Sequence, residues 1–91
     1  MLDDFIAQAS VTAGPEAWGH TTSVQLLAGG TAMLIFTDWT PATVDRDLAN
    51  AICGAAYQWR LDAGAYSPAA NVSTIGLYSP EEVGGEQVFS C

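Results

Sequence analysis

Lysine is absent from this 91-residue chain, and arginine occurs only at Arg46 and Arg60. Against ten carboxylates that leaves a net charge of −8 at pH 7. Direct binding of DNA, RNA or an anionic membrane surface draws on Lys and Arg to displace counterions, so those partners are excluded. Histidine is just as scarce: His20 is the single imidazole. A Ser–His or Cys–His site would have to be built on that one ring, and no Gly-x-Ser-x-Gly elbow is present. Little positive charge is available to lower a thiol pKa, so neither Cys53 nor Cys91 reads as a nucleophile. Two cysteines are also too few for a disulfide-stapled scaffold, which leaves one bridge or two free thiols as the alternatives. No apolar run approaches the roughly 18 residues needed to span a membrane. The start, Met-Leu-Asp-Asp, is acidic where a secretory leader is basic, so a cytoplasmic protein of a bacterial host cell is expected.

Phosphate and metal chemistry are equally thin. Gly29-Gly30 and Gly84-Gly85 are not followed by Lys-Ser/Thr, so neither is a phosphate loop. Asp38, Asp45 and Asp47 make an oxygen-only set that suits a hard cation. On a helix, however, residues two apart point about 200° apart, so Asp45 and Asp47 do not converge on one ion. No cofactor, no metal and no catalysis are expected.

What is present is apolar. Hydrophobic residues make up 49% of the chain and aromatics 10%, a composition that folds rather than one that stays disordered. A single small domain spanning residues 1–91 is expected, burying about 60–65% of its unfolded surface.

The clearest element runs from Thr40 to Gly64. Thr40 is a good N-cap residue, Pro41 suits the first helical position, and Gly64 can take the left-handed conformation that ends a helix. Val44, Leu48, Ala51, Ile52, Ala55 and Trp59 fall on one stripe at about 100° per residue. Asp45 and Asp47 lie near the positive end of this helix and Arg60 near the negative end. Leu2 to Ala13 reads as a shorter helix with Asp3 and Asp4 in its first turn, although Phe5, Ala7, Ala9 and Val11 also alternate as a strand would. Thr21 to Ala28 and Thr31 to Thr37 read as a hairpin closed by a two-residue Gly29-Gly30 turn. The unbroken run Met33 to Phe36 suggests a central strand covered on both faces. Val72 to Tyr78, with Gly76 marking a bulge, and Glu86 to Ser90 form a second hairpin. The order α-β-β-α-β-β specifies an α+β fold, a mostly antiparallel sheet of about four strands with the long helix, and a shorter N-terminal one, packed on it.

The second face of the long helix carries Cys53, Tyr57 and Leu61, spaced every four residues. It is more apolar than an ordinary surface, so either the sheet, the N-terminal segment or the 65–71 loop covers it, or it is a homodimer or partner contact. The carboxylates Asp3, Asp4, Asp38, Asp45, Asp47, Glu81, Glu82 and Glu86 are the candidate contacts to a basic protein partner.

In size, charge and general character the chain resembles the small acidic inhibitors carried by phages, in particular anti-CRISPR proteins; no motif carries the likeness. The resemblance implies a DNA mimic whose clustered carboxylates occupy the basic nucleic-acid channel of a CRISPR–Cas effector complex and block DNA binding, with aromatic anchors supplying most of the affinity. Two other classes fit the same features: a phage structural or assembly subunit, and an immunity or antitoxin-like protein that neutralises a basic toxin.

Overall fold

The computed structural model describes residues 2–91, and in it Asp45 rather than Thr40 starts the long helix. Helix α3 runs Arg46–Ala63. One carboxylate oxygen of Asp45 accepts the N–H groups of Asp47 at 3.0 Å and Leu48 at 3.1 Å, two donors that the helix itself leaves unpaired. Thr40 closes a separate turn, its carbonyl accepting from the N–H groups of Thr43 and Val44 at 3.0 Å. Pro41 fits such a turn as well as it fits a helix start, which is why the sequence signals pointed too early. The other end falls where expected: Gly64 follows the last helical residue and donates its N–H to the Leu61 carbonyl, with φ 84° and ψ 165°, a positive-φ but not left-handed helical conformation. Asp45→Ala should therefore cost about 1 kcal/mol in thermal or urea unfolding, and Asp45→Asn much less, since Asn caps almost as well.

Ala49, Ile52, Ala55, Ala56 and Trp59 form the buried face of α3, with Leu48 and Ala51 partly buried at its edge; Val44, expected on this helical stripe, is partly buried in the turn before the helix. This face is wider than the expected stripe because α3 packs on two things, the sheet and helix α1. Helix α1 (Leu2–Ala13) settles the helix-or-strand ambiguity of the N-terminal segment, and Phe5 and Ala9, one turn apart, are its buried pair. Phe5 meets Trp59 of α3 and Trp18 of the short helix α2 (Pro15–Trp18) edge-on, with ring centroids 5.0 and 5.7 Å away.

The four strands β1 (Thr21–Leu27), β2 (Ala32–Thr37), β3 (Thr74–Tyr78) and β4 (Gln87–Ser90) lie in sequence order across one sheet. The β1–β2 and β3–β4 pairs are antiparallel; β2 and β3 are parallel, because α3 carries the chain back to the end of the sheet where β2 began. The first hairpin is looser than a two-residue turn: the strands end at Leu27 and resume at Ala32, with a short 3-10 segment, Ala28–Gly30, between them. Met33, Ile35, Ile75 and Leu77 point into the core under the helices, together with partly buried Val24 and Leu26.

The opposite face explains the unbroken Met33 to Phe36 run. Phe36 is only 6% exposed although it belongs to that outer face, because the Tyr78 ring, at 5.8 Å, and Gly85 pack against it. The register of β3 against β4 shifts between Leu77 and Tyr78, next to Gly76. A side chain at Gly76 would come within 2.9 Å of the Gln87 amide and 3.0 Å of the Tyr78 ring, so a larger residue there would have to push those side chains aside.

A disulfide joins Cys53 to Cys91, with the Cα atoms 5.5 Å apart, and decides between the two cysteine alternatives. It ties the end of β4 to the middle of α3. The Tyr57 hydroxyl donates to the Cys91 carbonyl at 3.1 Å, and the Cys91 N–H donates to the Ile75 carbonyl at 3.1 Å.

Candidate functional site at the acidic end of the sheet

Parallel strands β2 and β3 finish at the same end of the sheet, so the segments that leave their carboxyl ends start side by side there. Here those segments are acidic. Asp38 follows β2 directly, Asp45 and Asp47 lie at the start of α3 just beyond it, and Glu81, Glu82 and Glu86 belong to the β3–β4 connection. Asp38, Asp45, Asp47, Glu81, Glu82 and Glu86 are all exposed. Asp3 and Asp4, also exposed, sit in the first turn of α1, and nothing in the topology brings them to this end.

The carboxylates there fall into two groups. Asp45 is occupied as the α3 cap, Asp38 holds His20, and Glu81 reaches across β2 to β1, where Ser23 and Gln25 donate to it at 3.3 and 3.2 Å. Asp47, Glu82 and Glu86 make no side-chain hydrogen bond among the described residues, so their charge is free for a partner. The Glu81 contacts, with Gly85 against Phe36, fold the 80–85 segment over the outer face of the sheet. Around that fold lies a shallow cleft lined by Phe36, Glu81, Gly84 and Gly85.

His20 is better placed than a lone loop histidine has reason to be. Its Nδ1 lies 2.7 Å from Asp38 Oδ1, and its ring stacks on Trp39 at 4.5 Å. The support beneath is buried: Thr37 Oγ1 accepts the Trp39 N–H and donates to the Tyr78 carbonyl at 2.9 Å. Sequence reading overlooked this pair, yet the signal was there. His20 precedes β1 and Asp38 follows β2, so antiparallel pairing of Thr21 with Thr37 sets them side by side. A carboxylate-held imidazole is half of a hydrolytic constellation. Among the described residues no hydroxyl or thiol is hydrogen-bonded to its other nitrogen, and both cysteines are in the bridge. The described residues also contain no group of three or more His, Cys, Asp or Glu able to hold a metal ion.

The apolar second face of α3 needs one correction. Cys53 is 6% exposed and bonded to Cys91, so it offers nothing to a second chain. Tyr57 and Leu61 remain outside, at 38% and 76% exposure. They lie towards the C-terminal end of α3, whereas Asp45 and Asp47 lie at its N-terminal end. Tyr66, just past that helix, is fully exposed. Among the described residues no helix is long and apolar enough to cross a membrane. The chain matches no protein-family model, no curated protein and no solved structure.

Proposed function

We propose that this chain is a non-catalytic acidic inhibitor that binds a basic, nucleic-acid-binding protein surface through the end of its sheet, in the manner of an anti-CRISPR protein that blocks DNA binding by a CRISPR–Cas effector complex in the bacterial cytoplasm. The observation that supports it is the convergence of Asp38, Asp45, Asp47, Glu81, Glu82 and Glu86 on segments at one end of the fold. A lysine-free surface at −8 attracts a Lys/Arg-rich channel over about one Debye length, roughly 8 Å at physiological ionic strength. Complementary charge of this kind raises the association rate and disfavours wrong partners. The carboxylates divide the work: Asp38, Asp45 and Glu81 hold the acidic segments in shape, and Asp47, Glu82 and Glu86 supply unspent charge. A toxin-neutralising protein would use the same end, and the identity of the basic partner separates the two readings.

The test is charge reversal. Replacing Asp47, Glu82 and Glu86 together by lysine spares the cap, the His20 pair and the Glu81 bonds, so the fold should hold. Binding should weaken by about 2–5 kcal/mol if these carboxylates are desolvated in the contact. Reversing Asp3 and Asp4 instead should leave affinity within about threefold, as expected for charges outside the contact. Equal losses from the two sets in calorimetric or anisotropy titrations would defeat the assignment of the binding end.

A further inference from the structure

Arg60 is one of two cations in a chain with ten carboxylates, yet among the described residues it pairs with none of them. Its guanidinium lies over the Tyr57 ring, 5.5 Å from the centroid. Beside it is a groove of about 390 Å³ between the last turns of α3 and the segment that follows. Tyr57, Arg60 and Leu61 form one wall; Gly64, Ala65 and Ala70 form the rest. Positions 57, 60 and 61 are spaced i, i+3, i+4 and therefore share a helix face. The facing residues are small, which leaves the space open. Hydrogen bonds within the segment hold that wall in place: Gly64 N–H to Leu61, Ser67 N–H to Gly64 and Ala70 N–H to Ser67.

The chemistry of this groove is simple. Its volume falls in the range of about 300–1,000 Å³ typical of small-molecule sites. The lining is chiefly apolar. The Tyr57 hydroxyl already donates to Cys91, so the side-chain donors left over are those of the Arg60 guanidinium. That planar fork matches a carboxylate with two parallel hydrogen bonds. The carbonyl end of α3 opposes an anion with only about half an elementary charge, less than the full unit on Arg60. We propose that the groove binds a small amphipathic monocarboxylate, with its hydrocarbon along Leu61, Ala65 and Ala70 and its carboxylate on Arg60. Charge favours this occupant over a second copy of the chain, since one anionic group meets the unpaired cation whereas a second copy brings a net −8 to the same place.

The probe is decanoate, titrated into the intact, disulfide-bonded protein and followed by calorimetry and by the amide resonances of residues 57–70. Decanol, which has the same chain and no charge, is the comparison. Decanoate should bind, and Arg60→Gln should weaken it roughly ten- to hundredfold, the worth of a hydrogen bond to a charged group. Decanol should bind more weakly than decanoate and be indifferent to that change. Ala70→Leu, which fills the groove and leaves Arg60 in place, should weaken both ligands, with melting temperatures confirming that each variant is folded. Equal decanoate affinity in Arg60→Gln and parent, equal affinity for decanol and decanoate, or no binding at millimolar decanoate would overturn the proposal. So would sedimentation showing a dimer, broken by Leu61→Glu, that decanoate does not dissociate.

Discussion

Phe5→Ala should lower the unfolding free energy by about 3–5 kcal/mol, the range for emptying a buried aromatic site. Phe5 is 0% exposed and is the ring that α1 inserts between Trp18 and Trp59. Each edge-on pair adds about 0.5–1.5 kcal/mol beyond the area it buries, so the upper part of that range is expected. For a domain of this size, each kcal/mol moves the midpoint by about 4–8 °C, so Phe5→Ala should melt roughly 15–40 °C below the parent. Val11→Ala is the control on the same helix: Val11 is 82% exposed, and its loss should stay within about 0.5 kcal/mol. If the two variants melt together, α1 is not part of the cooperative core.

Breaking the Cys53–Cys91 bridge should have a comparable effect by another route. The cross-link spans 38 residues, and the loop-closure entropy it removes from the unfolded chain is worth about 4 kcal/mol. It also anchors β4, a four-residue edge strand otherwise held by its pairing to β3 and by the Tyr57 bond to Cys91. Reduction with a dithiol, or Cys53→Ser, should lower the melting temperature by roughly 15–30 °C, and the reduced protein should still show a cooperative transition. The bacterial cytoplasm keeps thiols reduced, so a chain acting there works at this lower stability. Global stabilities of about 5–15 kcal/mol leave room for that loss. A melting curve unchanged by reductant, with both thiols titratable, would mean that the bridge constrains nothing the fold does not already hold.

Much of the fold was legible because most of its determinants are local. The β-branched runs gave β1 and β2, the α3 stripe gave Ile52, Ala55 and Trp59, and the positive-φ glycine gave the helix end at Gly64. What was misread depended on competition between neighbours. Thr40-Pro41 and Asp45 are both legitimate helix starts, and only the bonds each residue makes decide between them. The two hairpins were readable, but the parallel β2–β3 pair follows from where α3 returns the chain, a consequence of topology rather than of any residue. The site was less legible still. Carboxylates such as Asp38 and Glu86, far apart in sequence, come to one end only because two parallel strands finish together there. Cys53, grouped with Tyr57 and Leu61 because it shares their helical row, is instead buried and bonded to Cys91, just past the end of β4.

The most direct test is a titration of DNA binding by a set of purified CRISPR–Cas effector complexes, followed by fluorescence anisotropy of labelled target DNA at low and moderate salt. With a susceptible effector, DNA binding should fall to zero at a one-to-one ratio of inhibitor to effector. Salt should weaken the inhibition mainly through slower association, and the Asp47, Glu82, Glu86 lysine variant should lose it while the Asp3, Asp4 variant keeps it. DNA binding untouched at stoichiometric excess across the set, or inhibition completed by sub-stoichiometric protein, would contradict the account.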